Sequence, residues 1–181
     1  MYGLVNQAIQ EMVITNFGED QWEEIRDQAG ADDVFIAMDQ YSDQVTLDLV
    51  AAACEVLGAE ASDVLKTFGE YWVDFTGAAY GDLFTMSGAT FVEFVQNLNN
   101  LHTRVGQMMP ELQPPSFTVS DPTEATFVLH YYSSRSGLYS MILGLIEGLG
   151  KRFDTEVEIS HLRGAGEGLD HDEFMVKYRV N

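Results

Sequence analysis

One stretch decides both the fold and the site: it reads FVEFVQNLNNLHTRV and runs from Phe91 to Val105. Positions 91, 94, 98, 101 and 105 share one helical face, and positions 95, 102 and 109 lie beside them. His102 is therefore predicted to point inward among apolar side chains. Neutral imidazole is the commonest side-chain ligand of metals, and one imidazole on an apolar wall suits a five-coordinate haem iron.

A second stretch, Tyr131-Tyr132-Ser133-Ser134-Arg135, follows on a predicted strand. Alternate residues share one face of a strand at a spacing of roughly 7 Å, so Tyr131, Ser133 and Arg135 should present two hydroxyls and a guanidinium in a row. Such a row suits the two propionates of a haem, because arginine binds carboxylates through bidentate, charge-assisted hydrogen bonds. Taken alone, each stretch has a plainer interpretation, as a core histidine and as a solvated strand edge.

Hydrophobic periodicity in the first half of the chain indicates helices. One stripe spans residues 4–13, a second spans 45–56 after Ser42-Asp43, and a third spans 64–72 with Ser62 as its predicted cap. The helix carrying His102 is predicted to begin near Ser87. Three prolines, Pro110, Pro114 and Pro115, end this helix and force an extended connection.

From Ser116 the period changes to two, which predicts strands at 116–119, 125–133, 157–159 and 174–180, with a helix over 138–149 between the second and third. The predicted fold class is α+β, with helices first and a C-terminal antiparallel sheet of about four strands covered by one helix. We expect a single domain over 1–181, with a helical part at about 1–110 and a mixed α/β part at about 111–181. The haem would be buried between them.

The composition of the chain limits which kinds of partner it could bind. The chain has 29 acidic and 9 basic residues and a formal net charge of -20, which opposes binding to nucleic acid or to an anionic membrane. The single Cys54 excludes an internal disulfide and a multi-cysteine zinc site. No secretory signal and no run of roughly 18 apolar residues is visible, so a cytoplasmic protein without a membrane span is expected.

Several segments, in order and spacing, resemble the haem nitric oxide/oxygen binding (H-NOX) family, whose sensory domain occurs in soluble guanylate cyclase. They are Met1–Asn6 (MYGLVN), Phe68–Trp72 (FGEYW), Leu101-His102, Pro115, the Tyr-x-Ser-x-Arg motif and Leu143–Gly148 (LGLIEG). The resemblance covers the whole chain and favours a stand-alone bacterial type.

The resemblance implies a role for each site residue. His102 would be the proximal ligand of a non-covalent haem b, because no Cys-x-x-Cys-His motif is present. Pro115 would press on the porphyrin and distort it. Tyr131, Ser133 and Arg135 would hold the propionates. The distal wall would consist of Val5, Ile9, Trp72, Met141 and Leu145.

The distal side decides which gas binds. Oxygen-binding members of the family place a tyrosine hydroxyl on the helix that follows the Tyr-x-Ser-x-Arg strand. The corresponding residue here is Met141, although alignment without a gap gives Ser140, next to Tyr139. The expected ligand is therefore NO. CO is expected as a second ligand, and the binding of O2 is expected to be weak or absent.

The expected function is sensing of NO by ferrous haem, with release of His102 from the iron moving its helix and subdomain. The chain would be no enzyme. No catalytic domain follows residue 181, so the expected partner is a separate histidine kinase or cyclic-di-GMP enzyme. Two alternatives stay open: an oxygen sensor or store in which Tyr139 reaches the gas, and a haem-free ligand-binding module.

One further pattern is Asp170-His171-Asp172, which could suggest an enzymatic metal site. Acidic residues that flank a histidine before a strand are typical of a solvated turn, and no second ligand cluster accompanies them in the sequence. Some members of the family that the chain resembles carry a zinc cluster of Cys and His ligands near the C-terminus. Only His161 would correspond to one of its ligands, so that zinc cluster is expected to be absent.

Overall fold

A computed structural model describes all 181 residues and contains eight helices and one four-stranded sheet. The helices are α1 (Gly3–Phe17), α2 (Glu19–Ala29), α3 (Asp43–Leu57), α4 (Ala61–Ala79), α5 (Gly81–Thr85), α6 (Phe91–Gln96), α7 (Leu98–Met108) and α8 (Tyr139–Arg152). The strands are β1 (Ser116–Ser120), β2 (Thr126–Tyr132), β3 (Thr155–Arg163) and β4 (Asp172–Val180). The predicted α+β class is confirmed.

The helical half matches most of the predicted stripes. Ser42 caps α3 as expected, since its Oγ accepts a hydrogen bond from the amide of Gln44 at 3.2 Å. The predicted cap of α4 is wrong, because the helix already begins at Ala61 and Ser62 lies in its first turn. Helix α2 was not predicted. Its segment is rich in charged residues and buries only Trp22 and Ile25.

The helix of His102 is interrupted, which the sequence analysis did not predict. It divides at Asn97 (φ -98°, ψ 6°) into α6 and α7. It also begins later than Ser87: Thr90 is the N-cap, and its side chain accepts a hydrogen bond from the amide of Glu93. Ser87 donates instead to the carbonyl of Leu83 at 2.6 Å. The break sets the direction of α7 independently of α6.

The sheet is antiparallel throughout, in the order β1-β2-β4-β3. Alternation along β2 buries Phe127, Leu129 and Tyr131 on the face that joins the core. The predicted strand was too long at its end. β2 stops at Tyr132, so Ser133 and Arg135 lie in the segment that leaves the sheet.

Helices α4 and α8 pack with their backbones in contact. A Cβ at Gly69 would lie 2.1 Å from the carbonyl oxygen of Met141, and a Cβ at Gly144 would lie 1.8 Å from that of Lys66. Two of the segments that carry the family resemblance, 68–72 and 143–148, therefore meet at this crossing. Only glycine permits so close an approach.

Apolar side chains form two cores. The first contains buried residues between Ala8 and Phe68, from α1 to α4 and the connection before α3. The second contains residues between Val73 and Val176, from the end of α4, α5 to α8 and the sheet. Helix α4 joins the two cores. No helix combines the length and the hydropathy needed to cross a bilayer.

Candidate functional site

His102 lies on α7, half-buried, with its ring 6.1 Å from that of Phe117. Its Nδ1 is 3.1 Å from the carbonyl oxygen of Pro115. A carbonyl can only accept, so Nδ1 carries the proton and Nε2 keeps a lone pair. Burial lowers the pKa of His102, against the opposing effect of the Pro115 carbonyl, so the ring is neutral at pH 7. The side chain is therefore a prepared nitrogen ligand.

Two features of the surroundings hold this ligand in place. Asn99, one turn before His102, donates from Nδ2 to the carbonyl of Phe117 at 2.7 Å and accepts from the Phe117 amide at 2.9 Å. This pair of bonds fixes α7 to the edge strand β1, two residues beyond Pro115. The carbonyl of Pro115 and the imidazole are thus held by the same short segment. Hydrogen-bonded outer partners of this kind orient metal-ligating histidines.

The three residues of the Tyr-x-Ser-x-Arg motif lie together. Tyr131 is buried at 3% exposure, and its ring is 5.5 Å from that of Phe117. Burial raises the pKa of Tyr131, while a hydrogen bond from Ser133 lowers it. The Ser133 hydroxyl also accepts from the amide of Arg135 at 3.0 Å. Although Ser133 and Arg135 are outside the strand, the turn keeps their side chains beside Tyr131.

Arg135 is the centre of a network that the sequence analysis missed. Its Nε donates to Asp43 Oδ2 at 2.8 Å and its Nη1 to the Gln113 carbonyl at 3.0 Å. The other oxygen of Asp43 binds the amino terminus of Met1 at 2.6 Å. These bonds, first to the amino terminus and then to Arg135, lower the pKa of Asp43. Nη2 of Arg135 donates to no protein group.

Asp43 and Asn99 each carried a weak signal in the sequence. Asp43 was interpreted only as part of a helix start, and its partner is 92 positions away. Asn99 lies inside a helix, where asparagine is unfavourable because its side chain competes for backbone groups. That unfavourable placement is the signal that could have been noticed.

The predicted distal residues divide between the two cores. Ile9 is 2% exposed in the first core, and Val5, Trp72 and Met141 pack against it. Leu145 packs against the second core. Trp72 contacts Phe68 and Phe75, with ring centroids 5.9 and 6.1 Å apart. These residues lie on α1, α4 and α8, and α4 packs against both of the other helices.

Tyr139, the candidate donor to bound O2, does not lie among these apolar side chains. Tyr139 is 41% exposed and stacks on His161, with centroids 4.8 Å apart and an interplanar angle of 15°. The hydroxyl of Tyr2 accepts from the Glu111 amide and that of Tyr71 donates to Glu11. Ser140, the alternative in the ungapped alignment, is buried at 4% exposure.

These residues fit an iron porphyrin. The Nε2 of His102 has no hydrogen-bond partner and is not among the fully buried polar atoms, so it remains available to a ligand. Apolar side chains from both cores suit the ring faces, and the free N–H groups of Arg135 with two nearby hydroxyls suit the carboxylates. His102 would hold the iron through Nε2, and the residues of the Tyr-x-Ser-x-Arg motif would hold the carboxylates.

Comparisons with known proteins agree with this geometry. A family model described as Haem-NO-binding matches residues 2–161. The soluble guanylate cyclase gcy-35 of Caenorhabditis elegans is 29% identical over 178 residues, covering 94% of this chain and 26% of that protein. The rat guanylate cyclase soluble subunit beta-2 is 38% identical over 101 residues, covering 55% and 15%. The chain thus spans about a quarter or less of the length of these relatives.

Solved structures show the same fold. An H-NOX protein from S. oneidensis in the Fe(II)NO ligation state superposes with a TM-score of 0.88 at 21% identity, covering 99% of each chain. The Fe(II) unliganded H-NOX protein from K. algicida gives a TM-score of 0.87 at 21% identity, covering 100% of this chain and 98% of that one. Since the family model spans nearly the whole sequence, the chain belongs to the haem nitric oxide/oxygen binding (H-NOX) family.

Proposed function

We propose that this chain senses nitric oxide with a ferrous haem b whose iron is bound by Nε2 of His102. The observation that carries the proposal is the hydrogen bond from His102 Nδ1 to the Pro115 carbonyl, since it leaves Nε2 as the free, neutral donor. His102 and Pro115 are then coupled directly, so any movement of α7 is transmitted to the segment before β1. Family membership supplies the cofactor class.

The propionates would be held by Tyr131, Ser133 and Arg135. Two hydroxyls and the Nη2 group of Arg135 offer donors at one place, next to the buried ring of Tyr131. The pairing of Arg135 with Asp43 keeps the guanidinium in position from the other side. A haem bound there would therefore be linked through Arg135 and Asp43 to the starts of α1 and α3.

The choice of NO over O2 is supported by the placement of the tyrosines. When bound, ferrous haem supplies an iron that takes NO or CO without a distal donor, whereas distal hydrogen-bond donors stabilise bound O2. Tyr139, the candidate donor for the oxygen alternative, is stacked on His161 outside the distal wall. Met141 presents a thioether there instead. This arrangement favours NO. Because Tyr139 is not available as a distal donor, the binding of O2 should be weak.

Signal output is proposed to begin at α7. Nε2 of His102 would tether α7 to the haem, and without that tether the hydrogen bond from His102 to Pro115 would still join α7 to the connection 109–115, so the two would shift together. Asn97 offers the point about which α7 can turn without moving α6. We propose that a separate protein, such as a histidine kinase or a cyclic-di-GMP enzyme, detects the shift. The chain itself acts as a sensor, not as a catalyst.

The test is a set of visible spectra of the haem-loaded, reduced protein under argon, then air, then NO. We expect a five-coordinate ferrous spectrum under argon, no change in air and a new five-coordinate spectrum with NO. A stable ferrous-oxy spectrum in air would establish the oxygen alternative. A folded protein that takes up no haem would refute the proposal and leave a haem-free module.

A further inference from the structure

A second group of potential ligands lies on the face of the sheet opposite the core. His130 on β2 pairs across the ladder with Glu173 on β4, and His171 precedes β4 by one residue. Alternation places His130 and Glu173 on the outer face, because their neighbours Leu129 and Phe174 face the core. The prediction that Asp170-His171-Asp172 is a solvated turn is wrong for His171, whose side chain is only 11% exposed.

Three ligand atoms converge there. Nδ1 of His130 lies 3.0 Å from Nε2 of His171. The same two nitrogens lie 3.6 and 3.5 Å from Oε1 of Glu173. Four ligands about 2.0–2.1 Å from a tetrahedral zinc ion are about 3.3 Å from one another. The triangle formed by the three atoms therefore has the size of one face of a zinc tetrahedron.

Hydrogen bonds assign the protons of both rings away from this triangle. Ser120 Oγ donates its one proton to Asp121 at 3.0 Å, so it must accept from Nε2 of His130 at 2.8 Å. Nδ1 of His171 donates to the carboxylate of Asp170 at 2.8 Å. Both remaining nitrogens thus direct lone pairs at each other and at a carboxylate oxygen. Three acceptors facing one another repel unless a metal ion or an additional proton lies between them.

Every ligand is also held from outside. His130 is held by Ser120 and His171 by Asp170, and the ring of His171 stacks on Tyr132 at 4.4 Å. Arg163 binds Oε2 of Glu173 at 2.6 and 2.9 Å, leaving Oε1 free. Hydrogen-bonded outer partners are the usual support of metal ligands. The side chains of His130, His171 and Glu173 are 17%, 11% and 10% exposed, so the group is sheltered but reachable.

We propose that His130, His171 and Glu173 form a binding site for one divalent transition-metal ion, with zinc as the best fit and one position left to water. Two imidazoles and one carboxylate are a recognised ligand set for such ions. The site is independent of the haem and of His102. It joins β2 to β4 at the His130–Glu173 pair, next to Tyr131 and two residues before β2 ends at Tyr132.

The test is isothermal titration of the tag-free, haem-loaded protein with zinc chloride, with metal content measured after gel filtration. The unmodified protein should bind one zinc ion per chain. His171→Ala should weaken binding more than 100-fold, since even the loss of an outer partner costs about 10–100-fold. His161→Ala is the matched control: it removes an imidazole from the core-facing side of the same sheet and should leave zinc binding unchanged.

A variant that need not disturb folding is Asp170→Asn, because the Asp170 side chain is 87% exposed. It keeps the size of the side chain but weakens the outer partner of His171, and should lower zinc affinity about 10–100-fold. Absence of one-to-one binding in the unmodified protein would overturn the proposal and leave a hydrogen-bonded histidine pair. Equal affinity in the unmodified protein and His171→Ala would show that zinc binds elsewhere, and would overturn it too.

Discussion

His102 makes its single hydrogen bond through Nδ1, and the function we propose uses Nε2 to bind the iron. Replacing the side chain by hydrogen should therefore remove the ligand while leaving space for a free imidazole. We expect His102→Gly to retain haem only when imidazole is added, measured by visible absorbance after gel filtration with and without imidazole. Added imidazole restores the axial nitrogen but carries no link to α7.

Gln107→Gly is the control for this substitution, because it places a glycine at an exposed position of the same helix. Each glycine costs the helix about 1 kcal/mol relative to alanine, so the two variants share a similar loss of helix stability. Haem that stays bound to His102→Gly without imidazole would remove His102 as the ligand.

Asp43 provides a second prediction at this scale, through pH. Its pKa is lowered in the folded protein by the amino terminus and by Arg135, below the ordinary value of 3.8. The unfolded chain therefore takes up a proton first, so the stabilisation is present above pH 3.8 and is lost as the pH falls through the folded pKa. With 45% of the Asp43 side chain exposed, solvent screening limits the contribution to about 1 kcal/mol or less.

We expect Asp43→Asn to lower the free energy of unfolding at pH 7 and at pH 5 by equal amounts. The difference from the unmodified protein should shrink below pH 3.8. Urea unfolding followed by circular dichroism at each pH measures this. Asp48→Asn is the control, since Asp48 lies one turn further along α3 and takes no part in the network. A difference that grows toward low pH would contradict the assignment.

At the scale of residues, the prediction of a haem site rests on amino-acid type and spacing. His102, Tyr131, Ser133 and Arg135 were identified because imidazole, hydroxyl and guanidinium suit haem. Asp43 could not be found in this way, because a carboxylate at a helix start is already explained locally. Its pairing with Arg135 depends on how α3 packs against the Tyr-x-Ser-x-Arg motif. Hydrophobic periodicity carries no information about that packing.

At the scale of elements, the crossing of α4 and α8 is the tightest constraint. A Cβ at Gly144 would lie 1.8 Å from the Lys66 carbonyl oxygen. The backbone of α4 cannot move aside as a flexible side chain could. Gly144→Ala should therefore separate the helices and destabilise the protein by about 1–3 kcal/mol or more. The unfolding midpoint in urea is the measurement.

Gly106→Ala is the opposite case on α7. A Cβ there would meet nothing within 4 Å, so alanine only improves helix propensity. This variant should be as stable as the unmodified protein or more stable, by up to about 1 kcal/mol. If both alanine variants had the same midpoint, close backbone approach would not explain the glycine in α8.

Element boundaries were predicted less well than element types. The period of three to four along 91–105 indicated a helix but gave no warning of the break at Asn97, because both halves keep their apolar residues on a common side. The prediction placed Ser133 and Arg135 on the strand because the alternating sequence pattern continues beyond Tyr132, where the hydrogen-bonded ladder of β2 ends. A turn held by the Ser133 hydroxyl replaces the ladder there.

At the scale of the whole molecule, the two cores explain how one bond can be detected far away. The predicted division of the chain near residue 110 follows the change of periodicity, whereas packing places α5 to α7 with the sheet. The ring of His102 lies beside Phe117 of the second core, and most of the predicted distal residues pack on the first. A haem bound as proposed would contact both cores, so a change at its iron would alter how the cores are joined.

The last prediction concerns this coupling. We expect NO to raise hydrogen–deuterium exchange in α7 and in 109–115, while β3 and β4 change little, because released His102 no longer ties α7 to the haem. A full switch from 1:99 to 99:1 requires a differential of about 5.5 kcal/mol between the two states. His102→Gly loaded with haem and imidazole is the matched control, since its axial nitrogen is not attached to α7. NO should then leave exchange in α7 unchanged. An equal increase in both proteins would mean that the change in α7 does not depend on the release of His102.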